Sequence, residues 1–242
     1  MAGHSKWSQI KRKKAKTDAQ KGKEFTKFVR EITVATRQGG SGDPQLNHRL
    51  RLAIQKAKLS NMPSENIKRA IQKGVSADED SHFDEIIFEA YGPSGVGILI
   101  LCLTNNRNRT IPNLRVILNK NGGNMANQGS VSYQFEKKGY LVFEPGTSLE
   151  KVIDIATECN IENFEEKEDH SIELIMPVSE LELTKETFEK NELLFADSGV
   201  SMIPFNPLIV NEEQYEKILN LIEKLEEDED VQEVYTNMLL KK

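Results

Sequence analysis

The sequence predicts an α+β fold in three domains: a basic N-terminal three-helix domain followed by two α+β domains, the third inserted into the second. Three observations carry this. Apolar residues recur at helical spacing up to Gly74, and at the spacing of strands beyond a polar linker near residues 75–82. Charge divides at the same place. Residues 1–74 hold 18 Lys or Arg against Asp18, Glu24, Glu31, Asp43 and Glu65, an excess of thirteen positive charges; the rest holds 14 basic and 33 acidic side chains, an excess of nineteen negative ones. Finally, the first β-unit has only two strands and a helix before residue 130, and the helix and strand that would complete that sheet come after residue 205. The expected division is 1–79 for the basic domain, 80–133 plus 205–242 for the second, and 134–204 for an inserted ferredoxin-like unit.

Residues 5–16, SKWSQIKRKKAK, hold six basic side chains and no acid, with too few apolar positions to bury a face. They read as a flexible arm that orders on its target. The first helix is expected over Thr17–Gln38, with Phe25, Phe28, Val29, Ile32 and Ala35 inward and Gly39-Gly40 as its stop. Its other side lines Lys23, Lys27, Arg30 and Arg37 along one exposed stripe. Asp43-Pro44 reads as the start of a second helix that buries Leu46, Leu50, Ala53, Ile54 and Ala57. Pro63 opens a third, with Ile67, Ala70 and Ile71 inward, Lys68, Arg69 and Lys73 outward, and Gly74 at its C-terminal cap.

Phe83–Tyr91 and Val96–Thr104 read as strands, the second apolar on both faces and therefore central in its sheet. GPSGVG at 92–97 lacks the Lys and Ser/Thr of a phosphate-binding P-loop and reads as the turn between them. Thr110 is expected to cap a helix carrying Ile111, Leu114, Ile117 and Leu118 inward. Tyr133–Glu136 and Tyr140–Glu144 flank Lys137-Lys138-Gly139 as an expected hairpin. A helix over Leu149–Cys159, strands at 163–167 and 171–176, a helix at 178–190 and a strand at 199–205 complete the inserted unit. The chain closes with an amphipathic helix bearing Tyr215, Ile218, Leu219, Ile222 and Leu225, the acidic tract LEEDEDVQ at 225–232, and a strand over Val231–Thr236.

Several function classes are excluded by composition. The longest apolar run, Val96–Leu103, falls far short of the roughly 20 residues of a membrane span. The basic start has no apolar stretch behind it, which argues against a secretory signal and for a cytoplasmic address. Cys102 and Cys159 lack metal or redox spacing and read as buried apolar positions, so no metal or cofactor is expected. Adjacent carboxylates around Glu165, Glu166, Glu168 and Asp169 alternate across a strand and read as a solvated rim, and no catalytic constellation remains.

The charge division instead points to nucleic acid. Lys and Arg neutralise phosphates and release counterions, independently of sequence. The candidate set is His4, Lys6, Trp7, Lys11, Arg12, Lys13, Lys14, Lys16, Lys21, Lys23, Lys27 and Arg30, in which Trp7 adds a ring able to stack on an unpaired base. A second candidate, NNRNRT at 105–110, begins a helix whose free amides attract anions, with Arg107, Arg109, Thr110 and Arg115 as phosphate ligands.

The blocks AGHSKW (2–7), KAKTDAQKGKEFTKFVREI (14–32), LRLAIQKAK (50–58), NMPSENIKRAI (61–71), YGPSGVG (91–97), NRNRT (106–110), GSVSYQF (129–135) and DEDVQEVYTN (228–237) resemble the YebC/PmpR family along essentially the whole chain. The resemblance implies the same three-domain fold. It also implies a DNA-binding transcriptional regulator or, as in the mitochondrial relatives, a ribosome-associated RNA-binding factor that relieves stalling at proline-rich stretches. It places His4, Lys6, Trp7, Lys13, Lys14, Lys16, Lys21 and Lys23 against nucleic acid. Asn105 departs from the family, which usually has an acid before Asn-Arg. The expected partners are DNA or ribosomal RNA, with the ribosome itself or a basic protein for the acidic domains as further candidates, and no membrane.

Overall fold

The computed structural model describes residues 18–76, 83–167 and 169–241. It opens with three helices, α1 (Asp18–Gln38), α2 (His48–Leu59) and α3 (Ser64–Val75). They share one core of Ile32, Ala35, Leu50, Ala53, Ile54, Ala57, Met62, Ile67 and Ala70, with Phe25, Phe28, Val29 and Ile71 against it. Helix α1 stops at Gly39-Gly40, where Gly40 adopts φ +64°.

Two boundaries differ from expectation. Helix α2 begins at His48 rather than at Asp43-Pro44, because Asn47 caps it: its carboxamide oxygen accepts from the Leu50 amide at 3.0 Å. The Asn47 Nδ2 donates to the Ala35 and Ser41 carbonyls at 2.8 and 3.0 Å, tying the end of α1 to the start of α2. Leu46, expected inside, is 78% exposed in the preceding turn. Gly74 is no cap either. It is buried within α3, where a Cβ would lie 2.6 Å from Thr36 Cβ and 2.7 Å from the Thr33 carbonyl, so it lets α3 cross α1 at close range.

Strands β1 (Asp84–Tyr91) and β2 (Gly97–Thr104) form an antiparallel hairpin in register from Asp84–Thr104 to Tyr91–Gly97. The turn between them uses left-handed backbone at Ser94 (φ 61°) and Gly95 (φ 78°). After α4 (Arg107–Lys120) and the short β3 (Asn124–Met125), the sheet is completed only by β9 (Val231–Thr236), giving the order β3-β1-β2-β9. One face of β2 packs Ile98, Ile100 and Cys102 against Leu114 and Leu118 of α4 and against Ile218, Leu221, Ile222 and Leu225 of α7 (Glu212–Glu226). Its other face turns Leu99 toward Val131, Phe135 and Met202. A two-stranded parallel ribbon, β8 (Leu208–Val210) with β10 (Met238–Leu240), was not foreseen from the sequence.

Between β3 and β8 runs a βαββαβ unit: β4 (Phe135–Phe143), α5 (Leu149–Ala156), β5 (Asn163–Glu166), β6 (Ile172–Met176), α6 (Leu181–Lys190) and β7 (Asp197–Pro204). Its sheet order is β5-β6-β4-β7, antiparallel throughout. The two helices bury Val152, Leu181 and Phe188, and the Phe188 ring lies 5.0 Å from that of Phe143. The hairpin expected at Lys137-Lys138-Gly139 is instead continuous strand, paired with β6 on one side and β7 on the other. Gly139 serves packing there: a Cβ would meet Leu181 Cβ and Met176 Cγ at 3.1 Å. Of the two cysteines, Cys102 is buried and Cys159 only half-buried. Among the described residues no helix is long and apolar enough to cross a membrane.

Candidate nucleic-acid interface

The basic residues of the helical domain fall on two surfaces. Helix α2 contains Arg49, Arg51, Lys56 and Lys58 and no acidic residue, and α3 adds Lys68, Arg69 and Lys73 against the single Glu65. All seven are exposed. Some are partnered: Arg49 with Gln38 and Glu85, Lys56 with Glu31 at 3.6 Å, and Arg69 with Glu65 at 3.4 Å. Arg51 lies 2.7 Å from His48 Nδ1, a neutral or cationic neighbour, so its charge is uncompensated there. Such exposed pairs hold weakly and exchange readily for other anions.

The α1 stripe is placed differently from the exposed row expected. It lies against the C-terminal end of α7 and the acidic tract that follows. Lys23 Nζ donates to the Glu227 carbonyl at 3.4 Å and Lys27 Nζ to the Glu226 carbonyl at 2.6 Å, where the last carbonyls of α7 concentrate negative potential. Arg30 reaches further, donating to Asp230 Oδ1 at 2.6 Å and to Glu229 Oε2 at 3.2 Å. Its side chain is only 11% exposed and that of Asp230 3%. Arg37 is also turned to backbone, donating to the Ser76 carbonyl at 3.3 Å.

Asp230 also absorbs most of the second candidate. Arg109 donates to it at 2.9 Å, and the Thr110 hydroxyl at 2.7 Å. Burial alone would raise this carboxyl; the hydrogen bonds from Thr110 and Arg109 and the charge of Arg30 outweigh it and hold the group below its usual range. Thr110 is therefore not the cap. Asn106 caps α4 by accepting from the Arg109 amide at 3.1 Å, and Thr110, one turn inside, is buried. Arg107 and Arg115 stay exposed on α4. Arg107 joins Arg37, Gln38, Phe83, Asp84 and Glu85 around a cavity of about 530 Å³ between the helical domain and the first sheet. His4, Lys6, Trp7, Lys11, Arg12, Lys13, Lys14, Lys16 and the side chain of Lys21 lie outside the described residues.

Two further features escaped the sequence reading. Phe83 is flanked by cations, with the Arg30 guanidinium 5.5 Å and the Lys73 ammonium 5.9 Å from its ring centre. Glu89, only 5% exposed, accepts from the amides of Gly129, Val131 and Ser132, which fixes the segment leading into the inserted unit. Burial pushes its carboxyl up, but the three amides outweigh this and lower it. The only sequence signal for either contact is the position of a charged or aromatic residue at a strand start or in an apolar run. Among the described residues, no group of three or more His, Cys, Asp or Glu is placed to hold a metal ion.

With this geometry in place, comparison with known proteins finds two family patterns in succession. Residues 5–77 match the "TACO1/YebC protein N-terminal domain" and residues 83–238 the "TACO1/YebC second and third domain". The chain belongs to the TACO1/YebC family. Family relatives include a protein of Geobacillus thermodenitrificans, 44% identical over 98% of this chain and 97% of its own length, and one of Persephonella marina, 45% identical over 98% and 95%. Both are described as a "Probable transcriptional regulatory protein". The fold is also similar to the crystal structure of a conserved hypothetical protein from Aquifex aeolicus, with a TM-score of 0.83, 40% identity and 94% of each chain covered. The family boundary between residues 77 and 83 coincides with the joint between the helical domain and the first sheet.

Proposed function

We propose that this protein regulates gene expression by binding nucleic acid through its helical domain, in a role that needs no catalysis of its own. The observation that carries the reading is the exposed run of cations on α2, a helix with no acidic residue of its own, continued by Lys68 and Lys73 of α3. Such a surface has phosphate as its natural counterion. The description of the relatives as transcriptional regulators supports DNA as the target. One feature favours a second reading, folded RNA on the ribosome. The excess of nineteen negative charges beyond residue 74 repels a long duplex except at the basic end, whereas a compact RNA fold can be met end-on.

The test is a charge reversal of residues that face solvent, Arg51→Glu, Lys58→Glu and Lys68→Glu together. Wild-type protein is expected to bind duplex DNA or ribosomal particles with steep salt dependence, and the triple variant to lose affinity with an unchanged circular dichroism spectrum. Sedimentation of lysate with ribosomal particles, beside gel shifts on duplex DNA, separates the two targets. Equal binding by the triple variant at every salt concentration removes the α2–α3 surface from the interface.

A further inference from the structure

The three units are not joined alike. Leu99, Val131, Phe135 and Met202 bury one apolar cluster across the first sheet and the inserted unit. The helical domain has its own apolar core, and no apolar cluster among the described residues contains side chains from both it and the rest. Its joint is ionic. Lys23, Lys27 and Arg30 meet the 226–230 segment, Arg49 meets Glu85, and His48 Nε2 lies 3.6 Å from Glu182. Apolar joints are indifferent to salt, whereas exposed ionic ones weaken with it and yield to competing anions.

We propose that the acidic segment at the end of α7 is an autoinhibitory latch. It occupies, with carbonyls and carboxylates standing where phosphate oxygens would, the α1 cations that a nucleic-acid backbone otherwise takes. A phosphate chain displaces the segment, swings the helical domain away from the first sheet, and gains Lys23, Lys27 and Arg30 as additional contacts. The inference rests on the nucleic-acid reading above and adds a regulated step to it. The buried end of the latch, Arg30 with Asp230 and Arg109, gives the closed state a defined geometry; the exposed end, Lys23 on the Glu227 carbonyl, is where a competing anion enters.

The test uses full-length protein carrying Cys159→Ser and fluorophores on Leu59→Cys and Asn220→Cys, exposed positions outside the latch on α2 and α7. Energy transfer is read while polyuridylate, a random-sequence duplex or NaCl alone is added. A tract variant, Glu226→Gln, Glu227→Gln and Glu229→Gln, leaves Asp230 in place, and Glu150→Gln and Asp154→Asn on α5 with Glu158→Gln in the turn after it remove equal charge elsewhere. Transfer is expected to fall with either nucleic acid and with salt, and to fall at lower concentrations of each in the tract variant. That variant is expected to bind several-fold tighter than the α5 control. Relative to wild type it loses the Arg30–Glu229 pair and the negative charge beside Lys23 and Lys27, while their carbonyl contacts and the Arg30–Asp230 pair remain, so the joint opens at a lower salt concentration. Unchanged transfer at saturating nucleic acid, or a tract variant that binds no tighter than the control, overturns the latch while leaving the nucleic-acid reading intact. Failure of wild type and both variants to bind either polymer at low salt brings down that reading, and the latch with it.

Discussion

At Gly74 two effects oppose each other. Alanine in a helix interior is favoured over glycine by about 1 kcal/mol. Here its Cβ would sit 2.6 Å from Thr36 Cβ and 2.7 Å from the Thr33 carbonyl, and backbone oxygen does not move aside easily. Overpacking of this kind costs about 1–3 kcal/mol, so Gly74→Ala is expected to lower the denaturation midpoint of the helical domain, measured by urea titration. Glu89→Gln tests a different kind of residue. The neutral amide still accepts, but it presents one oxygen to three amides and loses the charge assistance, an expected loss of about 2 kcal/mol. Because the native carboxyl is held below its ordinary value, its contribution is complete above about pH 4.5 and drains as the pH falls through the lowered native value. Wild-type and Glu89→Gln stabilities should therefore converge in acid and separate toward neutrality. Neither site was legible from the sequence as what it is. Gly74 looks like a helix stop because glycine there follows an amphipathic run, and only the crossing of α1 shows the close approach. Glu89 looks like one polar position in a strand, since the amides it holds lie some forty residues away.

The elements themselves were far more legible. Apolar spacing located all three N-terminal helices, the β1–β2 hairpin, α7 and the closing strand β9, because each buries a face whose period follows from its own backbone. Errors gathered where local chemistry has two solutions. Asp43-Pro44 and Asn47 both suit the start of α2, and Asn47 wins because its amide also reaches back to the Ala35 and Ser41 carbonyls. Asn47→Ala is accordingly expected to cost more than an ordinary cap, about 2 kcal/mol, and to raise amide exchange in the last turn of α1 as well as the first of α2. Lys137-Lys138-Gly139 satisfies the chemistry of a turn, yet a glycine beneath a packed helix satisfies strand geometry equally well. Cations of α1 were correctly assigned to the side away from its core, but what covers that side is set by tertiary docking, which no local pattern encodes.

Over the whole molecule, the contrast between an apolar joint and an ionic one predicts how the protein comes apart. The second and third units share Leu99, Phe135 and Met202, so scanning calorimetry should show them melting as one transition. Leu99→Ala, at a fully buried position, is expected to lower that transition by the equivalent of about 2–5 kcal/mol and to leave the melting of the helical domain near its wild-type temperature. A single coupled transition that shifts throughout with Leu99→Ala would show the ionic joint to be as rigid as the apolar one. The division of charge along the sequence announced the helical domain's separate character. That its cations and the acidic tract satisfy each other became visible only once residues two hundred positions apart were in contact.

The place of β9 in the first sheet has a consequence during synthesis. Strand β2 is the most apolar segment of the chain, and its second edge is paired by β9, with the Asp230 carbonyl extending that pairing to Leu103. While residues 105–230 are still being made, that edge is open to any passing strand. At about 5–20 residues per second this lasts roughly ten seconds on the ribosome, long enough for a nascent-chain chaperone to occupy the edge and for a truncated product ending before residue 231 to aggregate rather than persist.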